Sequence, residues 1–322
     1  MQALTWIVAL FLPLSAWSAT PRVLTVGALA YGTLNWELTV IERERLARSF
    51  RLSVRKLANP QAAEIALQAG AVDLIVADWL WVARQRNRGV DFTAVPYSLT
   101  HGALIVPPDS PIRSLQDLVG KRIGIAGGGL DKNWLLLQAL TRQRHGLELS
   151  HAATPVFAAP PLLNQQLLQG RLDALLTYWH YAAPLEAKGY QTLMTGEDLL
   201  KELGIGSPLP TLGYVFRESL AQRFPEIVQA FLEAAFQARQ AICSQSEVWR
   251  YVAPLTEQND PKVQAVLRER YCEGRINRWG EEELKAAARL YRLLASLSGE
   301  SLTGAATDLP AGTFWQGFTL PR

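Results

Sequence analysis

Three consecutive glycines, Gly127–Gly129, stand between the β-branched run KRIGIA and an apolar stretch that begins at Asp131. Backbone without side chains lets N–H groups approach a ligand oxygen, and a helix starting just after it favours negative charge there. The same glycines equally suit a tight turn. The run is not a phosphate-binding Walker loop, since no Gly-Lys-Ser/Thr follows, and it is not GxGxxG. A second chemistry is aromatic: Tyr31, Trp36, Trp79, Trp81, Tyr97, Trp134, Tyr178, Trp179 and Tyr181 recur along the chain. Such rings sandwich a flat ligand or face a cation, and about half of them are expected to be core packing instead. Asp78 is placed to bind an amine or to cap a helix beginning at Trp79. The four histidines, His101, His145, His151 and His180, show no HxxxH or HxH spacing, so no metal site is expected. No GxSxG elbow is present either. The residues therefore suggest binding rather than catalysis, with no cofactor.

These positions need elements to hold them. Val23–Leu29 (VLTVGAL) reads as a strand, followed by helical spacing at Leu34, Leu38 and Ile41. Arg51–Leu57 alternates as a strand, Pro60 opens a helix that Gly70 ends, and Asp73–Ala77 is a short apolar strand suited to burial on both faces. This βαβαβ order predicts a mostly parallel sheet covered by helices. A second such unit begins near residue 100. It comprises a strand at Leu104–Val106, a short helix at Ser114–Val119, a strand at Lys121–Ala126 and a helix from Asp131 to about Arg144. A helix at Pro160–Gln169 and a buried strand at Asp173–Thr177 complete it. Pro225–Ile242 is a long amphipathic helix, and Leu284, Ala287, Tyr291 and Leu294 mark the last one.

Length and charge bound the class. The 322 residues are too many for one ordinary core and predict two domains. A net charge of +3 with interspersed Lys and Arg lacks the basic bias of a nucleic-acid binder. The apolar run Leu4–Leu14, too short to span a bilayer, has the length of a signal-peptide core, and Ala16-x-Ser18 supplies small residues before a cut near residue 18 or 19. Residues 1–19 are therefore expected to be removed on export. Cys243 and Cys272 are the only cysteines. In an oxidising compartment they either bridge or remain two buried thiols.

Four strings in order resemble one family. DLVGKRIGI (Asp117–Ile125), GRLDALLTYWHYA (Gly170–Ala182), FRESLAQRFPEIVQAFLEAAFQA (Phe216–Ala238) and ALQAGAVDLIVADW (Ala66–Trp79) are similar to the type II periplasmic binding fold. The likeness is to solute-binding proteins of ABC transporters, in the nitrate, sulfonate, taurine and thiamine-precursor branch. The resemblance implies an α/β protein of two lobes: residues 20–99 and 208–322 in lobe one, and 100–207 in lobe two. Two crossing strands, near Tyr97–Ile105 and Leu212–Phe216, would be the hinge. It also implies a monomeric periplasmic receptor for a small organic ligand, working with a membrane permease and its ATPase. A sensor-type receptor uses the same lobes, and a eukaryotic pyrimidine synthase shares the fold, though this chain lacks that branch's cysteine-rich run.

Ligands in open α/β sheets bind beyond the carboxyl ends of strands. That rule selects Tyr31 and Gly32, Asp78 and Trp79, and Ser98, Thr100 and His101 at the crossing. In lobe two it selects Gly128, Gly129 and Asn133, and then Tyr178, Trp179 and His180. Trp79 and Tyr178–Tyr181 are the expected opposing walls. Apart from Lys132 no Lys or Arg falls among these positions, which disfavours an inorganic anion and favours an organic ligand with a flat or apolar part, a sulfonate held by N–H groups alone staying open.

Overall fold

The computed structural model describes residues 22–206 and 208–320. The expected signal peptide lies outside the described residues. Ten strands fall among the described residues: β1 Val23–Leu29, β2 Arg51–Leu57, β3 Leu74–Asp78, β4 Phe92–Ser98, β5 Ala103–Val106, β6 Arg122–Ala126, β7 Thr154–Ala158, β8 Ala174–Thr177, β9 Gln191–Thr195 and β10 Leu212–Arg217. They form two five-stranded sheets, ordered β2-β1-β3-β10-β4 and β7-β6-β8-β5-β9.

The two sheets repeat one plan. In each, the first strand of a βαβαβ unit is central and pairs in parallel with the second and third. The antiparallel member is in each case the strand that arrives from the other sheet: β5 after the segment 99–102, and β10 after the segment ending at Thr211. A strand entering from a neighbouring lobe must run against those that point toward that lobe, so each sheet is mixed with a single reversed strand.

The same turn launches the third strand in both lobes. Gly70 and Gly170 adopt φ of +68° and +67°, which a side chain would strain. Two aspartates follow three residues later. Asp73 Oδ2 accepts from Thr25 N at 2.8 Å while Asp73 N donates to Thr25 O at 2.7 Å. Asp173 does the same with Arg122, at 2.8 and 2.9 Å. Each Asp thus completes the ladder of the adjacent strand below its first residue.

Sheet one is packed on one face by the helices Leu34–Arg43 and Pro225–Ser244, through Val40, Ile41, Phe231 and Ala238. Its other face meets the helices Pro60–Gln68 and Trp79–Asn87 and the C-terminal helix Glu281–Ser298. That last helix also packs on Lys132–His145 of lobe two, and Pro261–Glu273 packs on Trp179–Glu186. The C-terminal part therefore touches both lobes. Where the sequence predicts a helix at Ser114–Val119, only a 3-10 turn, Gln116–Leu118, forms. Asp117 Oδ2 folds back to accept the N–H groups of Arg113 and Ser114 at 2.9 Å each, holding the start of the turn, and the chain leaves it at Val119, which is extended, and Gly120, with φ of +73°.

Inside lobe one a buried ion pair joins two helices. Glu37, fully buried, accepts from Arg239 Nε at 3.0 Å and Nη2 at 2.5 Å. The hydroxyls of Tyr271 and Tyr214 donate to the two Glu37 oxygens at 2.7 and 2.5 Å. Arg239 also donates to the Tyr97 carbonyl. Every hydrogen-bonding oxygen of the carboxylate is thus engaged, the condition under which a buried charge is tolerated. Cys243 and Cys272 form a disulfide with Cα atoms 5.6 Å apart, tying the ends of the helices Pro225–Ser244 and Pro261–Glu273.

Candidate functional site

On lobe one, β1 runs into the loop Ala30–Thr33. Gly32 has φ of +99°, and Asn35 Nδ2 fastens the loop by donating to the carbonyls of Leu29 and Gly32 at 3.0 and 3.3 Å. Tyr31 at its tip is 49% exposed, free to meet a ligand. β3 ends in Asp78, which caps the helix Trp79–Asn87 by accepting Leu80 N at 2.9 Å. Its other oxygen, Oδ2, lies 2.8 Å from Lys132 Nζ of lobe two. Lys132 also donates to the Thr211 carbonyl at 3.2 Å. This one ammonium therefore links strand ends of both sheets and the second crossing segment.

On lobe two, Gly127 and Gly128 have φ of +86° and +84°. At Gly127 space matters too, since a Cβ would stand 2.6 Å from the Tyr178 hydroxyl and 2.9 Å from Asp131 Oδ2. Gly128 has nothing within 4 Å, and Gly129 meets only Phe157, at 3.9 Å. Asp131 caps the helix Lys132–His145, its Oδ1 accepting Trp134 N at 3.1 Å. Burial pushes its carboxyl up to about 6, against the opposing pull of backbone N–H groups and Lys132. β8 delivers Tyr178, whose phenol burial and the nearby Asp131 raise to about 12. The His180 ring lies 6.2 Å from that of Tyr178 at 24° and 4.5 Å from Tyr181, and burial lowers it to about 4. These rings make one shelf beside Asp131. Trp179 turns the other way and packs on the hydrophobic cluster of lobe one.

The crossing residues are held by each other. Ser98 Oγ and Thr100 Oγ1 are 2.5 Å apart, and Ser98 also donates to the Gly274 carbonyl at 3.3 Å. His101 Nε2 donates to Leu209 O at 2.8 Å, and its Nδ1 accepts from Thr211 Oγ1 at 3.2 Å, which fixes the Nε2–H tautomer. Burial, with Lys132 adding to it, lowers this ring to about 4. His101 thereby stitches the first crossing segment to the second. Asn133 is wedged between the first crossing segment and the start of the helix Gly196–Glu202, since a Cβ on Gly102 would stand 2.9 Å from its Nδ2 and one on Gly196 2.5 Å from its Oδ1.

Trp79 requires a correction. It is 1% exposed, its indole N–H donates to the Pro210 carbonyl at 2.8 Å, and its ring lies 5.5 Å from Phe314. The first residue of a helix covering a buried sheet turns inward, so Trp79 is core and not a cleft wall. Ser98, Thr100, His101 and Asn133 likewise belong to the crossing, whereas Tyr31, Gly32, Asp78, Gly128, Gly129, Tyr178 and His180 fall at strand ends. Asp131, which in sequence reads as a helix start, joins the strand-end group beside Gly127 and the Tyr178 hydroxyl. Two surface cavities lie elsewhere. One of about 520 Å³ sits beside the crossing, lined by Leu99, Pro208 and Asn277. One of about 180 Å³ lies at the start of β1, lined by Arg22, Arg217 and Phe224. Among the described residues there is no cluster of three metal-ligating side chains, and no helix is long and apolar enough to cross a membrane.

This arrangement of two sheets with facing strand ends can be compared with known proteins. A family model described as NMT1/THI5 like matches residues 51–247, well over half of the chain. The chain belongs to the NMT1/THI5-like family. No curated protein matches it. Among solved structures, it is similar to the periplasmic aliphatic sulphonate binding protein SsuA from Escherichia coli, with a TM-score of 0.73 and 19% identity over 94% of this chain and 95% of that one. The alkanesulfonate-binding protein SsuA from Xanthomonas axonopodis pv. citri, bound to MOPS, gives 0.66 and 19% over 92% and 99%. A desulfurization enzyme, DSZB, gives 0.55 and 16% over 91% and 97%. At such identities this NMT1/THI5-like protein shares with all three a fold: two lobes of mixed sheets flanked by helices.

Proposed function

We propose that the chain is the substrate-binding component of an ABC importer. It captures a small organic solute between its lobes and delivers it to a membrane permease with its ATPase. The observation that carries this reading is the Lys132–Asp78 contact: strand ends of two separate sheets face each other, and among the described residues two segments cross between those sheets. Such a body opens and closes about its crossings, and contacts made by both lobes exist only when it is closed. Membership in the family and the shared fold of the SsuA proteins support it. On this reading the protein is exported, periplasmic and monomeric, and needs no cofactor or nucleic acid.

The DSZB likeness raises an enzyme as the second reading. The histidines argue for binding: both ring nitrogens of His101 are engaged at the crossing, and His180 is held neutral among tyrosine rings. The test is native mass spectrometry of protein taken from the periplasm, joined to small-angle scattering. A released solute, with scattering that contracts when it is returned, is the expected result. Solute converted to a product on incubation, or no solute and no contraction, would overturn the proposal.

A further inference from the structure

Resting on that reading of the cleft, the charges at the strand ends point to the class of solute. An anion would need positive charge there, and the available sources are engaged. Lys132 Nζ is held by Asp78 and by the Thr211 carbonyl. The N-terminus of the helix Lys132–His145, whose dipole would draw an anion toward the glycine run, already carries the Asp131 carboxylate as its cap. Lys56, at the end of β2, donates to Asn35 Oδ1, on the side chain that fastens the Tyr31–Gly32 loop.

What remains is negative. Among the described residues no Lys, Arg or His forms an ion pair with Asp131, and burial opposes its ionisation. Its Oδ2 lies against the bare Cα of Gly127, beside the Tyr178 hydroxyl, where an added Cβ would stand 2.9 Å from it. Next to it stand the rings of Tyr178, His180 and Tyr181. Burial raises the Tyr181 phenol, and Tyr31 of lobe one adds to it. A carboxylate lacking a cationic partner, set beside π-faces, is an arrangement that suits a positively charged ligand.

We propose that the cleft takes an organic cation, its ammonium or amidinium group paired with Asp131 and its flat or apolar body against the Tyr178–Tyr181 shelf. The ligand then supplies the direct ion pair that Lys132, held by Asp78, gives Asp131 only from a distance. Because the cation needs Asp131 ionised, binding below about pH 6 is accompanied by proton release, and affinity falls as pH drops. With the carboxyl at about 6, the loss between pH 7 and pH 5 is about tenfold.

The probes are matched in shape and opposite in charge: benzylamine and benzamidine against benzenesulfonate and benzoate, each followed by calorimetry and thermal unfolding at pH 7 and pH 5. The cations are expected to bind and raise Tm, the anions to do neither, and cation affinity to drop about tenfold at pH 5. Asp131→Asn retains the oxygen that caps Trp134 N, so it should stay folded by circular dichroism and lose at least tenfold in cation affinity along with the pH dependence. Tighter binding of benzenesulfonate than benzylamine, no binding of either cation, or undiminished cation affinity in Asp131→Asn overturns the inference. A neutral or anionic solute released from the native protein would sink this inference and leave the receptor reading standing.

Discussion

Lys132 Nζ and Asp78 Oδ2 lie 2.8 Å apart although they belong to different sheets, one just past β6 and the other the last residue of β3. The Asp78 side chain is 35% exposed and that of Lys132 17%, so the pair by itself contributes about 0.2–1 kcal/mol. Its larger effect is on shape. Lys132→Met leaves Asp78 free to cap the helix at Leu80 while removing the link across the cleft. Tm is expected to stay near that of the parent, and small-angle scattering to show a larger radius of gyration. An unchanged radius would mean that the crossing segments alone set the lobe angle.

The buried Glu37–Arg239 pair behaves differently, because neither partner has access to water. Glu37→Gln keeps the shape but leaves the Arg239 guanidinium uncompensated, and breaking such a pair costs about 3–5 kcal/mol. Urea unfolding is the measurement. A loss below about 1 kcal/mol would mean that water enters the site and solvates Arg239.

Much of this architecture was legible because central strands are buried on both faces and leave a dense apolar signature. The expected strands at 23–29 and 73–77 lie where β1 and β3 are found, while β2 at 51–57 is an edge strand that was legible through its alternation instead. The strands that escaped notice, β4, β7 and β9, all lie at sheet edges. Pro96 interrupts the pattern of β4 and Pro155 that of β7, residues that an edge tolerates because one side of the strand needs no ladder partner. The outer side of β4 is instead covered by the C-terminal tail, with Ala94 N donating to Thr313 O and Trp315 N donating to Ala94 O, each at 2.9 Å. Strand ends gave the candidate positions, but not which way each side chain turns. Trp79 turns inward to Phe314, while Asp131, two residues beyond the glycine run, faces Gly127 and the Tyr178 hydroxyl.

Acid should weaken the fold. Burial holds His101 and His180 to about 4 in the folded protein, against 6.5 for a free ring. Between those values the unfolded chain binds more protons, so stability is lost as pH falls from about 6.5 to about 4, by at most about 3 kcal/mol per ring. Asp131 acts oppositely: its folded value near 6 exceeds the ordinary 3.8, so the folded state takes up its proton first and regains stability over that range. Two rings against one carboxyl leave a net loss. Urea midpoints should be lower at pH 4.5 than at pH 7, and the difference smaller in His180→Asn. Equal midpoints in the parent would show that the rings charge freely in the fold.

The disulfide closes a loop between residues 29 positions apart, which in the chain-entropy model contributes about 3–4 kcal/mol. A paired Cys243→Ser and Cys272→Ser variant is expected to lose roughly that amount in urea unfolding. Non-reducing peptide mapping that found both thiols free would remove the effect altogether.

Trp79 and Tyr178 separate core from wall most directly. Trp79→Ala empties a site that is 1% exposed and abandons both the contact with Phe314 and the bond to Pro210 O. Such truncations cost about 3–5 kcal/mol, so the variant should unfold at markedly lower urea. Trp79→Phe keeps most of the packing and loses only the N–H bond, which limits its cost to about 1–3 kcal/mol through the unpaired carbonyl. Tyr178 is only half-buried, its hydroxyl meets the Gly127 Cα, and its ring lies alongside His180. Tyr178→Ala should therefore be milder for the fold yet weaken solute binding at least several-fold, since a ring against an aromatic face adds about 0.5–1.5 kcal/mol beyond area. Calorimetry with the solute identified by mass spectrometry, alongside urea unfolding, reads both quantities. If Trp79→Phe weakened binding while Tyr178→Ala did not, the wall would lie on lobe one and the shelf of lobe two would be structural.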